Sequence, residues 1–305
     1  MIITMIKEIS LERLDDIHPI IDRFRESIGN RAVPDDFSEK IRDSVANDRA
    51  SLFGDFADDG SLRGIGLFGK VNNRISFVFA DGDFEIEKTI ATALFDKFSP
   101  KRSYIVASGL WISESMSQLL VEIGFSKHDR VYMTLTRESV EDLPEPIILE
   151  GMHFDSYIEK DRQAISDLVF KCNDGHVDQD VFPEFFETPE SCLRLVKHIE
   201  ESKYGEYKEG HSWILRKGDQ NIGVCFMTCR NGDTGYIPDI VLEPEFRGQG
   251  LGKAILVQSM KRQLESDSAI SKVDLDVTLN NNARFLYRSL GFKDVQEYTM
   301  YTWKK

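Results

Sequence analysis

The chain repeats itself at a spacing of 167 residues. Leu119-Leu-Val-Glu-Ile-Gly-Phe125 matches Leu286-Tyr-Arg-Ser-Leu-Gly-Phe292, so Gly124 aligns with Gly291 (291 − 124 = 167). Farther on, Met133 aligns with Met300 at the same offset (300 − 133 = 167). In both copies a short amphipathic helix ends at the glycine, and a strand carrying the methionine follows. A duplication of this length in 305 residues predicts two similar units. The join is read at Glu141-Asp-Leu-Pro-Glu-Pro-Ile147, where two prolines make a short extended connector. The domains are therefore expected at residues 1–140 and 147–305.

Periodicity fills in the elements. Residues 11–28 alternate as a helix with Leu14, Ile17, Ile21 and Phe24 inward, and residues 36–45 form a second helix. Strands are expected at 50–56, 62–71, 75–80 and 103–107, with a helix over 84–98 whose stripe is Ile90, Leu94 and Phe98. The second half opens with a strand over 147–157 and a helix lined by Ile165, Leu168 and Val169. Residues 172–188 read as a long acidic and aromatic loop, and 189–202 as another helix.

The chemistry concentrates in one stretch of the second copy. Glu243-Pro-Glu-Phe-Arg-Gly-Gln-Gly-Leu-Gly252 leads from an apolar strand into a helix and reads Arg247-x-x-Gly250-x-Gly252. Glycines at this density let the backbone turn sharply and leave the amides uncovered. The first N–H groups of a helix have no partner inside it, and the dipole there is positive. Such a turn suits a pyrophosphate. Just upstream, residues 235–242 read as a buried strand interrupted by Pro238, which points to a β-bulge. Downstream, Asn280-Asn-Asn-Ala-Arg-Phe-Leu-Tyr-Arg-Ser-Leu-Gly-Phe292 is a short helix with Ala283, Leu286 and Leu290 on one face.

Strand, Arg-x-x-Gly-x-Gly turn, helix, strand and Asn-x-x-Ala-x-x-Leu-Tyr-x-x-x-Gly-Phe, in this order, resemble the GNAT acetyltransferase superfamily. The resemblance covers about the last 160 residues and is sharpest from Gly235 to Phe292. It implies an α+β fold, here two tandem GNAT-like domains, each a mostly antiparallel mixed sheet flanked by helices. It implies acetyl-CoA, or another acyl-CoA, as cofactor. The pyrophosphate would lie on the turn formed by Arg247, Gly248, Gln249, Gly250, Leu251, Gly252 and Lys253. The pantetheine arm would pair with Ile240, Val241 and Leu242, as a peptide adds to a sheet edge. Asn280 would lie near the pantetheine or its thioester. Tyr287 would protonate the leaving thiolate, or else serve as an aromatic of the inner helix face.

The first copy lacks this signature. Where the turn should fall stands Asp81-Gly-Asp-Phe-Glu-Ile-Glu-Lys88, with one glycine and four carboxylates. Those charges repel a pyrophosphate. Leu120 stands where Tyr287 stands. The first half is expected to bind no CoA.

Acyl transfer to an amine makes three demands. The thioester carbonyl must be polarised, an ammonium with a pKa of about 10 must lose a proton, and the thiolate must be stabilised. A free N–H near Val241 or Leu242 answers the first. Asp239 precedes the pantetheine strand; facing the acceptor it takes a proton, facing away it is a surface residue. No Cys, Ser or His sits in a nucleophile motif, so direct attack in a ternary complex is expected. A small-molecule amine is the expected acceptor, with a protein lysine or N-terminus, or acyl-CoA binding without turnover, as the alternatives.

Composition narrows the partners. The net charge is −14 and neither half is basic, against a nucleic-acid surface. No apolar run approaches a membrane span. The start, Met-Ile-Ile-Thr-Met-Ile-Lys, reaches charge too soon for a signal peptide, which makes a cytoplasmic location the expectation. Cys172, Cys192, Cys225 and Cys229 have no zinc-like spacing and read as buried small apolar residues, so no metal is expected. Oligomeric state is not written in the sequence.

Overall fold

The computed structural model describes residues 5–28 and 35–305; the first four residues of the segment weighed above as a leader lie outside them. The chain divides into two compact units, Met1–His128 with Thr299–Lys305, and Asp129–Tyr298. The first contains β1 (Met5–Glu8), α1 (His18–Ser27), α2 (Phe37–Ala46), β2 (Ala50–Phe56), β3 (Leu62–Gly69), β4 (Arg74–Phe79), α3 (Phe84–Phe98), β5 (Tyr104–Ser108) and α4 (Glu114–Glu122). Strands β1 to β4 pair antiparallel in sequence order and β5 joins β4 in parallel. β2 is buried along its whole length, because strands flank it on both sides. The helix expected over 11–28 begins as a 3-10 turn, Leu11–Ile17, and becomes α-helical only at His18, with Pro19 in the first turn. Leu14, Ile17, Ile21 and Phe24 are all buried as the periodicity required.

The next elements are β6 (Ser126–Thr136), α5 (Arg137–Glu141), β7 (Met152–Ser156), α6 (Arg162–Asn173), α7 (Val177–Val181), α8 (Pro183–Phe186) and α9 (Pro189–Glu200). Then follow β8 (Trp213–Lys217), β9 (Gln220–Cys225), β10 (Thr228–Arg230), β11 (Thr234–Tyr236), β12 (Ile240–Leu242), α10 (Leu251–Ser266), β13 (Lys272–Thr278), α11 (Ala283–Ser289) and β14 (Lys293–Lys304). In the second unit β12, β9, β8 and β7 form one antiparallel sheet. β10, β11, β13 and β6 form another, in which only β11 and β13 run parallel. The expected loop over 172–188 contains α7 and α8. His176 Nδ1 accepts from the Asp178 amide to start the first, and Pro183 opens the second.

The repeat is visible in the elements themselves. α3 and α10 start at Phe84 and Leu251 (251 − 84 = 167), and β6 and β14 at Ser126 and Lys293 (293 − 126 = 167). The last strands are exchanged. From Arg130 to Thr136, β6 pairs with β13 of the second repeat, and from Met300 to Lys304, β14 pairs with β5 of the first. Compactness therefore divides the chain after His128 and again after Tyr298, away from the proline-bearing connector that suggested 1–140 and 147–305. The physical reason is strand pairing, which residues 141–147 do not control.

The interrupted strand over 235–242 is more than bulged. β11 pairs with β13 and β12 pairs with β9, so residues 237–239 carry the chain from one sheet to the other. Pro238 has no N–H to give to either ladder and sits at the crossing.

Candidate active site

The sheet change leaves β12 as the edge of its sheet. Its register decides which main-chain groups are free. The Phe226 amide donates to Asp239 O at 3.0 Å and the Glu243 amide to Ile222 O at 2.8 Å. Hydrogen-bonded and open pairs alternate in an antiparallel ladder. Val241 therefore spends its main-chain groups on Val224, whereas Ile240 and Leu242 turn theirs to the open edge. Of the expected pair for a carbonyl-facing N–H, Leu242 has the free orientation.

Beyond β12 the turn is built for exposure. Gly248 and Gly250 lie at φ +76° and +79°, a region that favours glycine, and Gly250 caps α10 without any side-chain hydrogen bond. After Arg247, the next amide with a main-chain partner is that of Ala254, which donates to Gly250 O at 3.0 Å. Among the described residues, the amides of Gly248, Gln249, Gly250, Leu251, Gly252 and Lys253 have no main-chain acceptor outside α10. Arg247 has another part. Its amide is bonded to Pro244 O, and its guanidinium holds Leu242 O at 3.0 Å and Cys172 O at 3.2 Å. It ties the turn to β12 and α6. A Cβ on Gly252 would come no nearer than 3.5 Å to Leu286, so the protein itself leaves that space open.

A cavity of about 900 Å³ runs from this turn along β12. Asp239, Ile240, Val241, Leu242, Asn280 and Tyr287 all line it. Asp239 Oδ2 is buried without a hydrogen-bond partner among the described residues. Burial first, and the nearby Asp178 carboxylate second, push the Asp239 carboxyl up to about 7; the Ile240 amide and His176 oppose them. Tyr287 is 6% exposed on α11, with its ring edge-on to Phe292 at 5.9 Å. Burial and the Asp178, Cys225 and Asp239 charges hold its phenol well above the usual range, so it stays protonated.

Several members of the site were not singled out from the sequence. Asp178, on α7, receives Asn281 Nδ2 at 3.0 Å and Thr278 Oγ1 at 3.4 Å. Asn281 also accepts the Ala283 amide at 2.9 Å and so starts α11. In the run Asn280-Asn281-Asn282 the buried structural work falls to Asn281, while Asn280 is exposed at the cavity. Arg130 and Tyr298 also line the cavity, from β6 and β14. The acid-rich, aromatic composition of 172–188 was the only sequence signal that reached this group.

A chain with free amides at a glycine turn, a strand edge beside them and a buried acid and phenol further along can hold a phosphate-bearing thioester and exchange protons next to it. Residues 208–294 match the family model described as acetyltransferase (GNAT) domain. The chain carries a GNAT acetyltransferase domain. Its fold is shared over nearly the whole chain. A GCN5-related N-acetyltransferase from Sphaerobacter thermophilus is 17% identical with a TM-score of 0.58, covering 99% of this chain and 95% of that one. A tandem GNAT protein from the clavulanic acid biosynthesis pathway is 10% identical with a TM-score of 0.56, covering 99% and 98%. A GCN5-related glucosamine N-acetyltransferase region of a fungal multi-domain GH3 β-N-acetylglucosaminidase is 12% identical with a TM-score of 0.61; it covers 99% of this chain and 38% of that one. The architecture is two tandem GNAT-like folds, and the GNAT domain supports acyl transfer from an acyl-CoA. Among the described residues no helix is long and apolar enough to cross a membrane.

Proposed function

We propose that the protein transfers an acetyl group from acetyl-CoA to the primary amine of a small molecule by direct attack within a ternary complex. The observation that carries this reading is Asp239, whose Oδ2 is buried and unpartnered among the described residues and which shares one cavity with the bare turn and Tyr287. The amides of residues 248–253, with the Lys253 charge, suit the pyrophosphate, and the outward groups of Ile240 and Leu242 suit the pantetheine amides. Bound acyl-CoA supplies an activated thioester.

The remaining chemistry is proton traffic on this chain's own atoms. Asp239 Oδ2 takes the first proton of the acceptor ammonium and passes it to solvent. The outward N–H of Leu242 is available to a carbonyl oxygen as charge grows there. A C–N bond forms and the C–S bond breaks. Tyr287 Oη gives its proton to the departing sulfur and recovers one from the newly formed amide nitrogen. Direct attack is supported by the cysteines. Burial pushes Cys172, Cys192 and Cys225 up to about 12, which removes them as thiolate nucleophiles. A small acceptor is supported by the side chains of Phe182, Phe185, Arg130 and Tyr298, which wall the cavity together with Asp239.

Calorimetry with acetyl-CoA, followed by free-thiol release over an amine panel, tests the reading. Saturable binding and thiol release with at least one small amine are expected. Absence of binding at millimolar acetyl-CoA would sink it, and release only with lysine peptides would move the acceptor to protein.

A further inference from the structure

The cavity holds a second pole, opposite in sign to Asp239. Arg130 is 4% exposed and lines it. Its Nε donates to Tyr298 Oη at 2.9 Å, its Nη1 to Thr278 Oγ1 at 2.8 Å, and the guanidinium lies 4.5 Å from the centre of the Phe182 ring. A guanidinium has five N–H donors and does not lose its charge at any ordinary pH. Among the described residues, the hydrogen bonds of the group are those two, Nη2 takes part in neither, and Arg130 forms no ion pair. Two acids are linked to it through hydroxyls: Tyr298 Oη donates on to Asp276 at 2.9 Å, and Thr278 Oγ1 to Asp178 at 3.4 Å. A ring face below and two hydroxyls leave the end of the fork without the anion it is shaped for. Arg230 lines the same cavity, its Nε on Tyr204 O at 3.2 Å and its guanidinium over the Tyr236 ring.

We infer that the amine acceptor carries a carboxylate, which Arg130 receives at the free end of its guanidinium while the amine is delivered to Asp239. This rests on the amine-transfer reading above and deepens it to an amino acid class of acceptor. Arg130, Asp178 and Asp239 line one cavity. Thr278 Oγ1 touches both Arg130 and Asp178, and Asp178 is the charged neighbour of Asp239. Phe182 and Phe185 on the same wall favour an apolar body between the two charged ends. The reaction keeps the balance given above; the carboxylate is held and takes no part in it.

The test is thiol release from acetyl-CoA with matched acceptors. One set is L-phenylalanine, its methyl ester and 2-phenylethylamine; a second is L-leucine, its methyl ester and 3-methylbutylamine; a third is L-lysine and cadaverine. In the full-length protein, kcat/KM for a free carboxylate is expected to exceed that of its ester and its decarboxylated amine by about tenfold or more. In Arg130→Met that ratio should fall towards one, and Arg130→Lys should restore part of it. Turnover of esters and bare amines as fast as the acids overturns the inference and leaves amine transfer standing. An equal fall for all acceptors in Arg130→Met also overturns it, making Arg130 a positioning residue for Tyr298 and Phe182. Acetyl-CoA binding with no amine turned over overturns both readings. If neither variant folds, the ratio in the unaltered protein decides alone.

Discussion

The two repeats present the same turn and helix with opposite chemistry. At the fixed offset Asp81 aligns with Gly248, Asp83 with Gly250 and Glu85 with Gly252 (252 − 85 = 167). The backbones agree at the first position, where Asp81 and Gly248 both have positive φ, at 53° and 76°; at the cap they part, with Asp83 at φ −82° and Gly250 at +79°. In the first unit Asp83 caps α3 by accepting the Ile86 amide at 3.2 Å, and Glu87 accepts the Ala80 amide at 3.1 Å. In the second unit Gly250 has no side chain to offer and the corresponding amides stay open. A helix N-terminus draws negative charge in either case. One repeat satisfies it with its own carboxylates, and the other leaves it open. The first repeat thus differs from the second both in the carboxylates at this turn and in the backbone of the cap.

Breaking the comparison at the reacting end should have the largest effect. Tyr287→Phe removes only the hydroxyl that Leu120 never had, and kcat should fall by about 10²- to 10³-fold with acetyl-CoA affinity retained. Calorimetry beside steady-state rates checks this; equal turnover would return Tyr287 to packing. Next comes Gly252→Glu, which imports the acid of the first repeat. Its φ lies outside the left-handed region and its Cβ has room, so the fold should persist while acetyl-CoA affinity drops on the order of ten- to a hundredfold. The same change at Gly250 would confuse backbone strain with charge, because that residue lies at φ +79°.

Asp239 sharpens the contrast through pH. With its carboxyl held at about 7, kcat/KM should rise with pH through that value and be lost below it, and Asp239→Asn should abolish the limb. Stability runs the other way. A carboxyl raised in the folded state is neutral there while the unfolded chain is already ionised, so folding weakens as pH rises from the ordinary carboxylate range through about 7. Asp239→Asn should therefore melt higher than the parent at about pH 8, with the gap closing towards about pH 4. Melting curves at both values check the sign. The smallest effect is expected in the closed copy. Asp83→Ala removes a helix cap and should cost about 1 kcal/mol of stability, read from denaturant midpoints, without changing acetyl-CoA affinity.

Much of this was written in local sequence. The turn glycines, the helix over 84–98 and the inward residues of residues 11–28 follow from backbone freedom and apolar spacing, which act within a few residues. The acids of the first repeat's turn were legible for the same reason, since they are contiguous with the helix they cap. Asp178, Arg130 and Tyr298 were not legible. They stand on α7, β6 and β14, and each reaches the cavity only after strands distant in sequence have paired.

The sequence by itself determined the family motif, the doubled architecture and which copy keeps open amides, because each depends on contiguous residues whose backbone and charge act locally. Only the tertiary structure decided where the units divide and what surrounds Asp239. Strand exchange pairs β6 with β13 and β14 with β5, and the change of sheet at Pro238 opens the cavity beside β12. Pairing across more than a hundred residues leaves no local pattern. The burial that tunes Asp239 and isolates Arg130 likewise exists only once those strands have met.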